Sequence, residues 1–192
     1  MKRPPFSHVT TAVVAAMLLL STSGGSPARA ANLEAIDPST QYCRAVGGTV
    51  ELRQAEYGTN NPNPLPLAGK AEFCRFQSAD KSSRIYVLTT TLFATQPTLA
   101  ALAYYSKTPL GTGCNGNPAS CYCTLLGGTD LFGGINAAGG AWVLKGSVDE
   151  DLDTCIFPDL SSIDAWGLAY HSAGIIRGAD LSKVLRYHKP KA

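Results

Sequence analysis

The feature that most constrains this chain of 192 residues is an internal repeat that carries four of its six cysteines. Asp37–Thr49 and Asn117–Thr129 share one order: an Asx-Pro pair, two small residues, a Tyr-Cys pair one position later, three residues, and Gly-Gly-Thr. A Cys-x-Phe motif and a closing helix-like stretch recur further along at nearly the same offset. We therefore expect two tandem copies of one module. The predicted boundaries are 37–107 for the first copy, 108–116 for the linker and 117–189 for the second copy.

The cysteines predict a disulfide framework. An even cysteine count in an exported chain favours disulfides, although six cysteines allow 15 different pairings. Cys43 and Cys74 occupy the same two places in the first copy as Cys123 and Cys155 in the second. We therefore expect each copy to close its own bond around a loop of about 32 residues, which contributes roughly 3–4 kcal/mol in the chain-entropy model. Such a bond matters for a module whose hydrophobic core alone is marginal.

The remaining two cysteines have no counterpart in the first copy. Cys114 and Cys121 are expected to pair locally, across a loop that contains Asn115 and Asn117. The alternative map joins Cys114 to Cys123 and leaves Cys121 for Cys155. We favour the local pair, because Cys121 and Cys123 are only two residues apart.

Residues 1–30 have the pattern of a secretory signal peptide. Lys2 and Arg3 precede the apolar run from Val9 to Leu20, and the segment closes with Ala28-Arg29-Ala30. Small residues at −3 and −1 suit a signal peptidase, so cleavage is predicted after Ala30 and residues 31–36 form a short tail. A retained membrane anchor is the alternative, but the apolar run is short for a bilayer. We expect the protein in the periplasm or secreted.

Charge and hydropathy narrow the partners. Removing Lys2, Arg3 and Arg29 from the 16 basic residues leaves 13, against 14 acidic residues. The mature chain therefore lacks the basic footprint on which nucleic-acid binding and polybasic membrane attachment depend. After residue 31, no stretch is long and apolar enough to predict a membrane span.

Local signals predict an α+β class, with a short helix, an antiparallel hairpin and C-terminal helices in each copy. Asp37 and Asn117 are good N-caps before proline, and Gly47 and Gly127 suit the ends of the first helices. The stretch 85–93 is ambiguous, because its own β-branched residues favour a strand whereas the residues matched to it, 163–171, have a helical pattern. Within this match, Ile85–Leu88 aligns with Ala165–Leu168. The predicted strands are Thr49–Arg53 and Ala71–Phe76, joined by Gly58–Pro66, and then Asp130–Phe132, Ala141–Leu144 after the glycine-rich 133–140, and Asp153–Phe157.

The last helix of each copy is predicted from apolar residues at helical spacing. Asp180 is an N-cap for a helix whose buried stripe is Leu181, Val184, Leu185 and His188. In the first copy, Thr98 precedes the corresponding stripe of Leu99, Leu102 and Ala103.

The second copy resembles a small bacterial exported domain of unknown function that is often labelled haemolysin. The resemblance is carried by Tyr122-Cys123 with Gly127-Gly128, by Cys155-Ile156-Phe157-Pro158-Asp159, by Trp166 and by Arg177-Gly178. It covers most of the second copy and is weaker in the first. Two further cysteines of that family are replaced here by Ile163 and Asp180. The resemblance implies an exported domain, and a membrane-active protein is one function that its label suggests.

The search for catalytic chemistry finds one candidate. A triad hydrolase needs a histidine beside a nucleophile and an acid, and His171 lies near Ser172 and Asp164 in the sequence, although proximity in sequence is not triad geometry. An envelope enzyme, or an accessory subunit of one, that uses His171 is therefore an alternative function. The acidic run Asp149–Asp153 lacks the spacing of a helix–loop–helix calcium site and is interpreted as a solvated turn. We predict no metal site and no cofactor.

The preferred function is binding of another molecule, with another envelope protein as the expected partner. Rigid loops on a disulfide scaffold lose little entropy on binding, and two loops fit that description: the proline-rich loop near residue 62 and the loop closed by Cys114 and Cys121. The oligomeric state and the packing of the two copies stay open. The candidate binding residues are Pro62, Pro64, Asn115, Asn117, Trp166 and His171.

Overall fold

Each half of the chain begins with one helix, continues with consecutive strands and ends with two helices. The computed structural model describes residues 37–112, 116–130 and 138–190. Every structural statement below concerns those residues. The elements in chain order are α1 (Pro38–Ala45), β1 (Thr49–Tyr57), β2 (Leu65–Gln77), β3 (Arg84–Leu88), α2 (Thr89–Phe93), α3 (Leu99–Ser106), α4 (Pro118–Leu125), β4 (Gly140–Val143), β5 (Asp151–Leu152), β6 (Thr154–Ile156), β7 (Ser162–Asp164), α5 (Ala165–Ser172) and α6 (Leu181–Val184).

The strands form one antiparallel sheet to which both halves contribute. Its order is β5-β4-β1-β2-β3-β7-β6. The halves meet twice, where β1 pairs with β4 and where Val87 of β3 pairs with Ile163 of β7. The two edge strands, β5 and β6, are separated along the chain only by Asp153. The α+β class predicted from the sequence is confirmed, and residues 37–107 and 117–189 share one sheet.

Two disulfides fasten a helix to a strand in each half. Cys43 of α1 is bonded to Cys74 of β2, and Cys123 of α4 is bonded to Cys155 of β6. These are the two bonds expected from the repeat, and the second one rules out the alternative map. Cys121 is also disulfide-bonded. Its expected partner, Cys114, lies outside the described residues.

The Gly-Gly pair that follows each helix has two separate roles. Gly47 and Gly127 have positive φ angles of 87° and 82°, a conformation that ends a helix and that glycine adopts freely. The second glycine is needed for space. A Cβ atom on Gly48 would lie 2.2 Å from the Sγ atom of Cys74, and one on Gly128 would lie 2.4 Å from the Sγ atom of Cys155.

The main core is continuous across both halves. Its buried side chains include both disulfides, and aromatic rings from each half pack among them. Tyrosine hydroxyls also tie distant segments together: Tyr42 donates to the carbonyl of Val184, and Tyr122 donates to the carbonyl of Thr108. In the part of the chain that the structure describes, no helix has the length and apolar character needed to cross a membrane.

Several strand predictions need correction. β1 continues to Tyr57 and β2 begins at Leu65, so both strands are longer than predicted and the connection between them is residues 58–64. β4 lies between β1 and β5 in the sheet, and it pairs with β1 through Gln54–Tyr57. This pairing differs from the hairpin predicted within the second copy, because the pairing partner of a strand is set by long-range packing and not by its own sequence. Asp130 lies outside any strand, and residues 131–137 lie outside the described residues.

The helix predictions also differ in part from the structure. α6 ends at Val184 rather than at His188, and His188 is exposed. In α3 only part of the predicted stripe is buried: Ala103 is buried, but Leu99 and Leu102 are 42% and 40% exposed. The buried face also contains Ala100 and Tyr104. The offset match of Ile85–Leu88 with Ala165–Leu168 is wrong as well. The first stretch lies in strand β3 and the second lies in helix α5.

The second glycine of each pair gives a stability prediction. We expect Gly48→Ala and Gly128→Ala each to lower the free energy of unfolding by about 1–3 kcal/mol, the usual cost of overpacking, because the added methyl group collides with a buried disulfide. Gly111→Ala is the matched control, since a Cβ atom there meets no heavy atom within 4 Å. Urea unfolding of the oxidised proteins measures the effect. Equal stability of all three variants would contradict the assigned role.

Candidate functional site

A buried arginine organises the loop between β4 and β5. Arg53 of β1 is fully buried and pairs with Glu51 on the same face of the strand, with its Nη2 atom 2.6 Å from Glu51 Oε2. Its guanidinium also donates to three backbone carbonyls and one hydroxyl of the second half, and it stacks on an aromatic ring at 4.9 Å. A guanidinium has five N–H donors, so one side chain can hold a whole loop in place. These partners are the carbonyls of Trp142, Asp149 and Glu150, the hydroxyl of Ser147 and the ring of Tyr86.

Asp149 is held by a second set of bonds from β3. Arg84 makes a bidentate pair with its carboxylate at 2.5 and 2.8 Å, and the Tyr86 hydroxyl donates to it at 2.8 Å. The Arg84 guanidinium lowers the pKa of Asp149. Burial and the bond to Asp149 raise the pKa of Tyr86. Asp149 is therefore an ionised link between the halves of the chain.

A small polar cavity of about 120 Å³ lies beside this link. By the volume of liquid water it has room for a few molecules. Its walls combine carboxylates with two aromatic rings and one guanidinium. The lining residues are Tyr86, Asp149, Asp151, Leu152, Asp153, Asp164, Trp166 and Arg177.

Two of the lining carboxyls titrate abnormally. Burial raises the pKa of Asp164 to about 6. Burial, followed by the negative charges of Asp130, Asp164 and Asp151, raises the pKa of Asp153 to about 6. The interpretation of Asp149–Asp153 as a solvated turn therefore holds only in part: Glu150 and Asp151 are exposed, but Asp149 is ion-paired and Asp153 is half-buried among other acids. Perturbed carboxyls in a cavity are a common mark of a functional site.

The acidic cavity is not arranged as a metal centre. Within residues 37–112, 116–130 and 138–190, no group of three or more acidic, histidine or cysteine side chains has a geometry that could hold a metal ion. The chemistry that the cavity offers is ionic contact and hydrogen bonding with a partner group.

Helix α5 forms the rim of the cavity. Asp164 is its N-cap and accepts a hydrogen bond from the amide of Gly167 at 3.1 Å. A Cβ atom on Gly167 would lie 2.6 Å from the side chain of Ile85, so glycine lets the helix pack closely against β3. The buried face of α5 also contains Leu168 and His171, and the opposite face carries Trp166 and Tyr170.

A cluster of aromatic, aliphatic and cationic side chains continues from that face, in which Tyr170, Ile175 and Ile176 are exposed and Trp166 and Arg177 are half-buried. The Trp166 and Tyr170 rings lie 5.9 Å apart, and the Arg177 guanidinium lies 5.1 Å above the Tyr170 ring. Ile175 and Ile176 are adjacent in the loop after the helix, and they are 49% and 43% exposed. We call Trp166, Tyr170, Ile175, Ile176 and Arg177 the α5 patch.

The loop that carries the patch is anchored at both ends. At its start, the amide of Ile175 donates to the carbonyl of Tyr170, and Gly174 has a φ of 80°. At its end, a Cβ atom on Gly178 would lie 2.2 Å from the carbonyl oxygen of Phe76, and the Gly178 amide donates to the Ser83 hydroxyl. The Arg-Gly pair thus has a physical reason, because glycine allows the loop to dock on β2.

The structure brings few of the predicted binding residues together. Trp166 lies in the α5 patch, and His171 is on the same helix but is only 3% exposed. Asn117 is the N-cap of α4 and accepts from the amide of Ala119. Pro62 is exposed and Pro64 is half-buried in the hairpin turn, and Asn115 lies outside the described residues.

The proline-rich turn is not a free loop. The Gly58 amide donates to the carbonyl of Gly139, and the Asn60 amide donates to the carbonyl of Ala138. A Cβ atom on Gly139 would lie 2.7 Å from the Thr59 hydroxyl, so the turn rests closely on the second half. These contacts make the turn part of the fold.

The proposed triad is not assembled. The Ser172 hydroxyl donates to the carbonyl of Ala169 rather than to His171. Asp164 is seven residues away at the other end of α5, where its carboxylate caps Gly167. The three residues therefore do not form a nucleophile, a base and an orienting acid.

Two larger surface grooves are weaker candidates for a binding site than the α5 patch. One, of about 500 Å³, lies between α3 and α4 and has mostly apolar walls that include Leu99, Leu102 and Leu125. The other, of about 510 Å³, follows α4 beside Thr129 and Asp130 and borders residues outside the described part of the chain. Neither combines aromatic anchors with charged groups as the α5 patch does.

Most residues of the patch escape sequence analysis. The sequence motifs include Trp166 and Arg177, but they do not include Tyr170, Ile175 or Ile176. Two adjacent isoleucines that directly follow a helix-ending glycine were the available signal, since such a loop is expected to be exposed. Comparisons of the chain with protein families, curated proteins and solved structures found no match. The resemblance to the haemolysin-labelled domain therefore stays a prediction.

The cavity gives a prediction about pH. A carboxyl whose pKa is raised by folding destabilises the fold at neutral pH, and this cost disappears as the pH falls through about 6 toward the unfolded value. We therefore expect Asp153→Asn to stabilise the protein by about 1–2 kcal/mol at pH 7, with little difference at pH 4.

The control variant is Asp80→Asn, and its expected effect on stability at pH 7 has the opposite sign. Hydrogen bonds from Ser78 and Ser82 lower the pKa of Asp80 to about 2. We expect Asp80→Asn to lose stability at pH 7 relative to the parent protein. Urea unfolding between pH 4 and 7 measures both variants. A pH-independent effect of Asp153→Asn would show that its carboxyl is not perturbed by the fold.

Proposed function

We propose that this protein is an exported binding protein, and that its α5 patch contacts another envelope protein. The single observation that carries the proposal is the surface cluster in which the exposed Tyr170, Ile175 and Ile176 lie beside the half-buried Trp166 and Arg177. Tyrosine, tryptophan and arginine are the residues that contribute most to protein–protein binding energy. Adjacent exposed isoleucines add apolar area that water solvates poorly.

The patch and the cavity together suit one kind of partner surface. The patch is apolar and aromatic at its centre, whereas the exposed Asp151 and the half-buried Asp153 lie on the side of the cavity. A partner with an apolar centre and basic residues toward Asp151 is complementary in both respects. Charge complementarity of this kind mainly speeds encounter and selects the partner.

Pre-organisation also supports binding. Gly167 and Gly178 hold the helix and the loop closely against β3 and β2. Arg177 stacks on Tyr170, which limits the freedom of both side chains before a partner arrives. A surface that is already ordered loses less entropy when it binds.

Export is part of the proposal. It is supported by the signal-peptide pattern of residues 1–30 and by the Cys43–Cys74 and Cys123–Cys155 disulfides, since disulfides persist in oxidising compartments. The periplasm or the extracellular space is the proposed location.

We also infer that the two halves descend from one duplicated module. Each half fastens its first helix to a strand with one disulfide, and each places a glycine against that bond. Thr49 pairs with Arg75 in the first half, and Thr129 pairs with Ile156 in the second. These pairs occupy matched places in the two sequences.

Site-specific photocrosslinking tests the binding function. We expect a photoreactive amino acid at Ile176, in the full chain produced in its own cells, to form a covalent adduct with one protein. Tyr170→Ala in the same chain should reduce the yield of that adduct by about tenfold or more, because loss of a hot-spot residue costs at least ~2 kcal/mol.

Leu65 is the matched control position. It is 62% exposed and apolar like Ile176, but it lies on the β1–β2 hairpin. The proposal requires that the same amino acid at Leu65 gives no such adduct. An absence of adducts from Ile176, or equal adducts from the two positions, would contradict the proposal.

A further inference from the structure

His171 occupies an unusual place on the inner face of α5. Its side chain is buried, at 3% exposure, and its ring stacks face to face on Tyr104 of α3 with centroids 3.7 Å apart and an angle of 8° between the planes. The stack joins a helix of the first half to a helix of the second. The Tyr104 hydroxyl in turn accepts a hydrogen bond from the amide of Leu181 at the start of α6.

One ring nitrogen of His171 has no protein partner. Within the described residues, the buried Nδ1 atom makes no hydrogen bond. A neutral imidazole can leave one nitrogen as an unused acceptor at moderate cost. A protonated imidazole has two N–H donors and a charge, so an unpartnered buried nitrogen disfavours that form strongly.

The charged groups around His171 do not compensate for that cost. Burial lowers the pKa of His171 first, and the ammonium of Lys107, which follows α3, lowers it further. Asp180, the N-cap of α6, acts in the opposite direction but does not outweigh the two.

The elements packed against α5 carry further titratable groups. Tyr122 of α4 lies near Ser172. Tyr86 of β3 lines the acidic cavity together with Asp164, the N-cap at the other end of α5, and Arg84 of β3 is paired with Asp149 of the same cavity. β6 contributes no charged side chain.

The backbone at His171 holds the loop of the α5 patch. The amide of Gly174 donates to the carbonyl of His171, and the amides of Ala173 and Ile175 donate to the carbonyl of Tyr170. These bonds form the turn that places Ile175, Ile176 and Arg177 beside Tyr170. The turn therefore begins at the residue whose ring stacks on Tyr104.

We propose that His171 is an acid-sensitive latch that keeps α5 against α3, and that its protonation releases the turn and disorders the α5 patch. The inference rests on the proposed function of the patch, since it describes how binding there is regulated. Below neutral pH the latch opens and the partner is released, and above it the patch is formed.

The direction of the pH effect follows from the lowered pKa. The unfolded histidine titrates near 6.5, and the folded one titrates below that. The latch is fully closed above the unfolded value and weakens as the pH falls toward the folded value, by roughly tenfold in the opening equilibrium per pH unit. Protonation of Asp164, whose pKa is about 6, acts in the opposite direction and stabilises the fold.

Hydrogen exchange of the full mature chain tests the latch without any partner. We expect the amides of residues 173–178 to lose protection by roughly tenfold or more between pH 7 and pH 5, after correction for intrinsic exchange rates. In His171→Phe, which keeps an aromatic ring on Tyr104 but cannot be protonated, that loss should be absent. Equal loss in the variant and the parent would overturn the proposal.

An NMR titration of the unmodified protein keeps the test decisive if the variant folds poorly. The imidazole protons of His171 should report a pKa below 6.5. A His171 pKa at or above 6.5 would overturn the latch. Because neither measurement needs a partner, failure of the latch is distinguishable from failure of the binding function, which the crosslinking at Ile176 tests separately.

Discussion

The buried guanidinium of Arg53 is the interaction on which the rest of this structure depends. It contacts no solvent and satisfies its donors with Glu51 on its own strand and with carbonyls and a hydroxyl of the 142–150 segment. Removal of one partner from a buried ion pair typically costs about 3–5 kcal/mol, because the other charge is left without compensation. One side chain of the first half therefore fixes a loop of the second half.

The position of the candidate site depends on the 142–150 segment that Arg53 holds. Asp149 emerges from it to meet Arg84 and Tyr86, and the chain then passes through β5 and Asp153 into β6. The acidic cavity is the space left where these two edge strands meet the start of α5. The α5 patch lies on its rim because Gly167 and Gly178 bring their segments close to the sheet. The proposed binding surface thus needs strands from both halves, even though all of its own residues come from the second half.

Local signals in the sequence predicted local structure well. The N-caps, the helix-ending glycines and the two matched disulfides all appear in the structure, because each depends on a few neighbouring residues or on the repeat. The pairing of β4 with β1 could not be predicted in this way, since both strands would also fit a hairpin within their own half. The role of Gly128 beside the disulfide was likewise hidden, because a sequence does not show which backbone atoms meet a sulfur.

The candidate site was the least predictable part. Arg53 was counted only as the end of a strand, because nothing in an alternating strand pattern distinguishes a buried arginine from an exposed one. The acidic run was interpreted as solvated for the same reason, although its counter-charge comes from Arg84, 65 residues away. For Leu99 and Leu102 the prediction fails in the opposite direction. Their helical spacing predicts burial, but both side chains are exposed in the folded structure.

Because the two halves share one sheet and one core, we expect them to unfold together in a single cooperative transition. Urea unfolding followed by two signals tests it most directly: far-UV circular dichroism reports the whole chain, and fluorescence of Trp142 and Trp166 reports the second half. The account predicts a single transition at the same midpoint for both signals, and an equal shift of both in Arg53→Met. Separate midpoints for the two signals, or an Arg53→Met protein in which the tryptophan transition does not move, would contradict it.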